Sequence, residues 1–482
     1  MLNENKFHSL VIVGGWPSLP GSPDETPRIA IVGRLSVESS GEDDTLAMAH
    51  DDHWSADKRL QELGLKAEGG GPGAFARPDP HLRIRGRGRP PDRPRAQGGA
   101  GRPAHCRGTA SALKRGRAMT DHPKPLPQLA DVHAYVPGEA PKNTGGKTFK
   151  LASNENPLGA SPRARKVYAD LAAKMELYPD GAARELKAAL AKKHGLDPAR
   201  LVLGAGSDDI FLMLGRAYLG PGDESINTAH AFAIYAIIAQ QQGAKVVEIA
   251  EKNFTADVDA ILKAVTPKTK IVWLANPNNP TGTYLPYDEV KRLHAGLPPH
   301  VLLVLDGAYA EFVKKNDYAS GIELASQFGN VIMTRTFSKL YGLAGLRVGW
   351  GYAPPHVVDA IERVRMPFNV SLPAQAAAIA ALDDDAFNEQ SLAHNESEME
   401  RLAAGLKALG LELIDGVGNF VVAKFPETKG KTAAEALAFL KDRGVTVRGL
   451  GGYKMPNHLR VSVGTVEGND AALKLLKEFL GK

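Results

Sequence analysis

Arg335-Thr336-Phe337-Ser338-Lys339-Leu340-Tyr341-Gly342-Leu343-Ala344-Gly345-Leu346-Arg347 follows the apolar run Val331-Ile332-Met333 and sets an arginine eight residues beyond a lysine across a Gly-rich turn. A bare Ser-Lys in such a turn reads as a solvated pair, but the full stretch offers a set of matched chemistries. A lysine amine condenses reversibly with an aldehyde and, once displaced by another amine, can carry a proton. A hydroxyl and a bidentate guanidinium suit a phosphate dianion, which gives Ser338 and Arg347 a shared purpose.

Outward from this stretch, short apolar or β-branched runs alternate with helix-like stretches. Arg200-Leu201-Val202-Leu203, Lys245-Val246-Val247-Glu248-Ile249, Lys270-Ile271-Val272-Trp273-Leu274 and Val301 to Leu305 read as strands. Asp208 to Leu219 and Ala233 to Gln242 read as helices between them. Runs that are apolar throughout suit a buried, mostly parallel sheet covered by helices. Beyond about Ser371, a long helical region from Ala374 to Leu409 leads into candidate strands at Phe420 to Phe425, Val445 to Arg448 and Leu459 to Val463. The expected fold is α/β, with a mostly parallel central sheet between helices in a large domain over residues 175–370 and a smaller α+β domain over 371–482. Residues 119–174 form an N-terminal arm and part of the smaller domain in this reading.

Polar residues cluster where the strands end. Val301-Leu302-Leu303-Val304-Leu305-Asp306 delivers a carboxylate at the carboxyl end of a strand, where open α/β sheets place their ligands. Taken alone, Asp306 reads as a turn or cap residue; its position upstream of Lys339 favours a site. Asn276-Pro277-Asn278-Asn279-Pro280-Thr281-Gly282 follows another buried strand and alone is a turn. Leu203-Gly204-Ala205-Gly206-Ser207-Asp208-Asp209 joins a strand to a helix, whose N-terminus offers free amides and a positive dipole end to an anion. The bland reading there is a helix cap.

Together these segments resemble the fold-type I pyridoxal-phosphate aminotransferases. The resemblance implies that Lys339 carries the cofactor and acts as acid and base, while Asp306 pairs with the pyridinium nitrogen. Tyr309 and Asn279 then serve the phenolate oxygen, although the motif reads Asp-Gly-Ala-Tyr where Asp-Glu-Ala-Tyr is commoner. Ala205, Gly206 and Ser207, through backbone, join Ser338 and Arg347 at the cofactor phosphate. His230-Ala231-Phe232-Ala233-Ile234-Tyr235 stands in place of the family's Pro-Thr-Tyr/Phe-x-x-Tyr, so Phe232 aligns with the aromatic that stacks on the ring; His230 is given no catalytic role.

Within that fold, residues 125 to 480 resemble the histidinol-phosphate aminotransferases. The marks are Ala134-Tyr135-Val136-Pro137-Gly138, Leu151-Ala152-Ser153-Asn154-Glu155-Asn156-Pro157-Leu158-Gly159, Tyr178-Pro179-Asp180 and Leu459-Arg460-Val461-Ser462-Val463-Gly464-Thr465. This implies that Arg460 binds the glutamate carboxylate in one half-reaction and the substrate phosphate in the other. Tyr135 and Arg448 are helpers at the substrate phosphate, and Asn154 or Glu155 faces the imidazole. Tyr178 would reach the cofactor phosphate of a neighbouring subunit, which makes the expected unit a homodimer; the bland reading of Tyr178 is an interface or core aromatic. An aromatic amino acid aminotransferase is the nearest alternative. Threonine-phosphate decarboxylases, which share this fold and lysine segment, are another.

The rest of the chain narrows the setting. The single cysteine, Cys106, leaves no disulfide framework or cysteine-rich metal site, and no metal is expected. No apolar run approaches the ~18 residues needed to cross a bilayer, so a cytoplasmic protein without membrane contact is expected. Most of the net charge of +5 sits in the first 118 residues, and the remainder is nearly neutral. Residues 28 to 35 resemble a strand, whereas Gly, Pro, Arg and Ala dominate from Gly69 to Gly116 and predict disorder. Arg87-Gly88-Arg89-Pro90 resembles an AT-hook core, but a solvated tail is the preferred reading over a nucleic-acid partner. Residues 1–118 read as an extension from an upstream start or erroneous frame, with the natural protein beginning at Met119.

Overall fold

Strand ends determine where polar groups gather, so the sheets come first. The computed structural model describes residues 124–135, 141–142 and 145–482, and before them only five strands. Of these, β1 (Phe7–Gly15), β2 (Ile29–Ser39) and β3 (Leu46–Met48) form an antiparallel sheet, and β4 (Ala67–Glu68) pairs with β5 (Arg83–Ile84). The strand-like run at 28 to 35 thus falls largely in β2. Within the tract expected to lack order, Arg83–Ile84 is the strand β5; the rest of that tract, including Arg87-Gly88-Arg89-Pro90, lies outside the described residues. Val136-Pro137-Gly138 lies outside them too.

From residue 149 onward the chain builds two sheets. β6 (Phe149–Leu151) precedes β7 (Leu201–Gly204), β8 (Glu224–Thr228), β9 (Lys245–Ile249), β10 (Thr269–Ala275), β11 (Leu302–Asp306), β12 (Val331–Thr336) and β13 (Gly349–Tyr352). The last seven form one sheet in the order β7-β13-β12-β11-β10-β8-β9, parallel except for β13, which is antiparallel to both neighbours. Parallel strands need crossovers, and the intervening helices cover both faces with two apolar clusters, one centred on Leu186, Leu303 and Met333, the other on Phe211, Tyr235 and Trp273.

Two strands of this sheet escaped the apolar pattern. β8 reads Glu-Ser-Ile-Asn-Thr, yet every residue in it is buried. Two of its polar side chains are met by neighbours: Ser225 accepts from the Trp273 indole at 2.8 Å, and Glu224 accepts from Lys245 at 3.0 Å and Thr266 at 2.6 Å. β13 reads Gly-Trp-Gly-Tyr, and its glycines admit close backbone approach; a Cβ on Gly349 would collide with the Ser207 amide.

The second sheet runs β14-β15-β17-β16-β6, where β14 is Glu412–Ile414, β15 is Phe420–Lys424, β16 is Val445–Gly449 and β17 is His458–Ser462. The helical region expected from Ala374 to Leu409 is two helices, Leu372–Leu382 and Asp385–Ala408, broken at Asp383-Asp384. The first buries Ala374, Ala377, Ala378 and Ala381 in the core beneath the seven-stranded sheet, so that core extends past Ser371 to Leu382. Among the described residues no helix is long and apolar enough to cross a membrane.

Candidate active site

The carboxyl ends of β7, β10, β11 and β12 open on one side of the larger sheet, and β16 and β17 bring the smaller sheet to the same place. Between them lies a cavity of about 230 Å³. Lys339, Asp306, Tyr309, Asn279, Ser207, Ser338, Arg347, Phe232, Arg460, Arg448, Tyr135, Asn154 and Glu155 all line it. Residues up to 325 positions apart in the chain are thus brought together by the two sheets.

Asp306 ends β11 in the middle of the sheet, level with Ala275 of β10 and Thr334 of β12. One carboxylate oxygen accepts the Tyr235 hydroxyl at 2.6 Å and the other the Ala308 amide at 3.1 Å. Burial raises this carboxyl from its ordinary 3.8 to about 6, opposed by the Tyr235 and Ala308 hydrogen bonds. A cation in the cavity would favour the ionised form.

Lys339 follows β12 and its Nζ donates to the Ser153 carbonyl at 3.1 Å, lying 5.7 Å from the centre of the Tyr309 ring. The Asn-Glu-Asn segment braces this region from the other side of the chain. Asn156 donates to the Leu340 carbonyl at 2.7 Å, and a Cβ on Gly342, whose φ is +67°, would collide with the Gly159 carbonyl. Glycine is therefore required where the lysine turn passes beneath the arm.

Asn154 or Glu155 was expected to face an imidazole, and both line the cavity. Asn154 is fully buried with φ of +56°, its Nδ2 donating to the Tyr309 hydroxyl at 2.9 Å and its Oδ1 accepting from Ser462 at 2.7 Å. One N–H and one oxygen lone pair of the Asn154 amide are engaged in this way, and the Glu155 carboxylate is the more open group of the two. Glu155 pairs with Lys150 at 2.7 Å and remains about 42 % exposed.

The helix Ser207–Tyr218 begins at the cup, so its first-turn amides have no acceptor within the helix. The amides of Ala205 and Gly206 do have acceptors, Asp209 at 2.9 Å and Gly204 at 2.8 Å, and neither residue lines the cavity. Gly206, with φ of +87°, lies against the Arg347 guanidinium, and any Cβ there would collide with it. Arg347 also approaches Ser338 at 3.4 Å and Asp208 at 3.4 Å. A hydroxyl, an arginine, helix amides and a glycine cleared of side-chain bulk are the donor set of a phosphate cradle.

A second cationic centre comes from the smaller sheet. Arg460 on β17 is buried, donates to the Ala152 carbonyl at 2.8 Å and to Asn279 Oδ1, and keeps its Nε without a partner. Arg448 stands directly across from it on β16. Like charges facing across a ladder repel, and burial lowers the affinity of Arg460 for its proton, so the pair is poised for an anion.

Phe232 meets Tyr135 edge to face at 6.0 Å, and Tyr135 is 45 % exposed. His230 is partly buried and pairs with Glu251 at 2.7 Å. Tyr178 does not reach this chain's cavity; it is 81 % exposed and stacks on Phe368 at 4.7 Å. Sequence reasoning missed Asp208 beside Arg347, Tyr453 in the wall and Tyr235 behind Asp306. Tyr235 carried a signal as the last residue of a motif whose aromatic had been assigned, and Asp208 as a member of the strand-to-helix turn read as an anion site.

Residues 146–476 match the family Aminotransferase class I and II. A histidinol-phosphate aminotransferase of Rhodopseudomonas palustris (strain TIE-1) is 53% identical over 361 residues, spanning 75% of this chain and 99% of that protein. One from Nitrobacter hamburgensis is 51% identical over the same length. The fold is similar to the crystal structure of histidinol-phosphate aminotransferase from Sinorhizobium meliloti in complex with pyridoxal-5'-phosphate, with a TM-score of 0.69 and 27% identity over 76% of this chain and 99% of that one. The chain belongs to the class I and II aminotransferases.

Proposed function

We propose that this chain transfers the amino group between L-histidinol phosphate and 2-oxoglutarate, giving imidazole acetol phosphate and L-glutamate, a step of histidine biosynthesis. The observation that carries the substrate class is the facing pair Arg448 and Arg460, an anion site separate from the Ser338 and Arg347 cradle. Two anion sites in one cavity suit a phosphorylated cofactor and a phosphorylated substrate together. Relatives at about half identity, matched over nearly their full length, bear the same enzyme name.

The donor set fits pyridoxal phosphate. When bound, that group supplies an aldehyde carbon for amine exchange and a ring that accepts electrons from the substrate Cα. Lys339 Nζ anchors it and, when released, moves a proton from Cα. Asp306 holds the proton on the ring nitrogen. Tyr309 Oη and the Asn279 amide address the phenolate oxygen; Asn279 Oδ1 is taken by Arg460, which leaves its amino group for this task. The Ser207 amide, Ser338 and Arg347 hold the phosphate, with Phe232 against the ring. Ala205 and Gly206 contribute by shaping the turn around Arg347, since their amides have other acceptors. Arg460 receives the glutamate carboxylate or the substrate phosphate, and Arg448 and Tyr135 assist at the phosphate. Asn154 or Glu155 faces the imidazole, Glu155 being the more open of the two.

The unit of action in this reading is a cytoplasmic homodimer. Tyr178 is exposed beside Met175, Leu177, Met366 and Phe368, an apolar patch suited to a second copy that would receive Tyr178 at its phosphate cradle. The catalytic part lies within residues 119–482, with 371–482 forming most of the smaller domain. The absorbance of the protein loaded with pyridoxal phosphate tests the substrate. Titrated without oxoacid, the yellow band should convert to the pyridoxamine form at lower concentrations of L-histidinol phosphate than of L-phenylalanine. Threonine phosphate should not release carbon dioxide. Preference for phenylalanine would make this an aromatic aminotransferase, and carbon dioxide release would make it a decarboxylase.

A further inference from the structure

Tyr235 is fully buried and titratable, and none of the steps above uses it. Its ring stacks on Trp273 at 5.1 Å with an interplanar angle of 6°, and Phe211 and Phe232 meet it edge-on at 5.3 Å and 5.9 Å. Trp273 is itself fixed by its indole bond to Ser225. This cage aims one polar atom, the Tyr235 hydroxyl, at Asp306 Oδ2, 2.6 Å away.

We infer that Tyr235 is a positioning residue which, by donating its hydroxyl proton to Asp306, keeps that carboxylate ionised and turned so that it stabilises the protonated ring nitrogen of the cofactor. The inference rests on the reading of Asp306 given under Proposed function. A buried carboxylate without enough donors recovers a proton from whatever acid faces it, and here that acid is the ring nitrogen itself. The Ala308 amide serves Oδ1, so the Tyr235 hydroxyl is the donor that serves Oδ2 among the described residues. The other charged groups acting on Asp306 are Asp208, which favours its protonation, and Lys339, which opposes it. Removing the hydroxyl would therefore let the proton shift from nitrogen to Asp306, weakening the electron-accepting ring and the ion pair that holds it.

Tyr235→Phe tests this, because the ring and its stack on Trp273 remain. Nitrogen-15 NMR of the protein loaded with ¹⁵N-pyridoxal phosphate should show a protonated nitrogen in the wild type and movement toward the unprotonated shift in Tyr235→Phe. Equilibrium dialysis should show cofactor affinity lower by roughly ten- to a hundredfold, the scale of a hydrogen bond to a charged group. In an Asp306→Asn background, Tyr235→Phe should change the affinity less than twofold. A Tyr235→Phe protein with wild-type shift and affinity overturns the inference and leaves Tyr235 a packing residue. An equal loss of affinity with and without Asp306→Asn overturns it as well. An unprotonated nitrogen in the wild type overturns instead the reading of Asp306 on which it rests.

Discussion

Single residues here act through partners distant in sequence. Asn154 reaches Ser462 and Tyr309, and its left-handed backbone, costly for a residue other than glycine, is held by those bonds and by the Asn419 amide on its carbonyl at 3.0 Å. Asn154→Ala should leave the Tyr309 hydroxyl without its donor, lowering kcat roughly tenfold and stability by about 1–3 kcal/mol while cofactor remains bound. Steady-state kinetics and a urea titration would check this; wild-type kcat would return Asn154 to a merely structural part. Lys339, Asp306 and Asn279 stood out in the sequence because each lies at or just beyond a strand end and chemistry restricts the residue type. The task of Asn154 did not, since its partners lie 155 and 308 positions away and nothing local marks them.

Secondary-structure elements convert these contacts into an arrangement. β16 and β17 set Arg448 against Arg460, while Arg460 and Ser462, two residues apart on one strand, share the face toward the cavity and Asn154. The helix Arg184–His194 ends with His194 stacked on Trp350 of β13 at 5.1 Å. Burial, reinforced by the nearby Arg335 charge, lowers His194 from 6.5 to about 4. The unfolded chain therefore takes up a proton below 6.5 that the folded chain refuses until about 4, so this group's contribution is lost as pH falls through that window. Asp306 acts oppositely in the cofactor-free protein: it holds a proton in the folded state between 3.8 and about 6, and stability declines as pH rises across that range. His194→Phe should thus gain about 1 kcal/mol relative to wild type on going from pH 7.5 to 5, with partial exposure allowed for. Denaturant unfolding at both pH values reads this directly, and an unchanged difference would contradict it. Apolar runs disclosed most strands of the parallel sheet; β8 stayed hidden because Glu224 and Ser225 are buried against partners that the pattern cannot display.

For the whole molecule, the smaller sheet contributes Arg448 and Arg460 to the cavity and the larger sheet Lys339, Asp306, Ser338 and Arg347. The cavity exists only where the two meet, and the Asn-Glu-Asn segment ties them by bonding Tyr309, Leu340 and Ser462. The α/β class was readable from strand and helix alternation. The break at Asp383-Asp384 was not, since one helical periodicity runs into the next. The central claim is that Lys339 is the lysine that carries pyridoxal phosphate. Borohydride reduction of the loaded full chain, followed by peptide mass mapping, tests it most directly. The account predicts a pyridoxyl group on Lys339 alone, lost when L-histidinol phosphate is added before the reductant; a label on another lysine, or none, would contradict it.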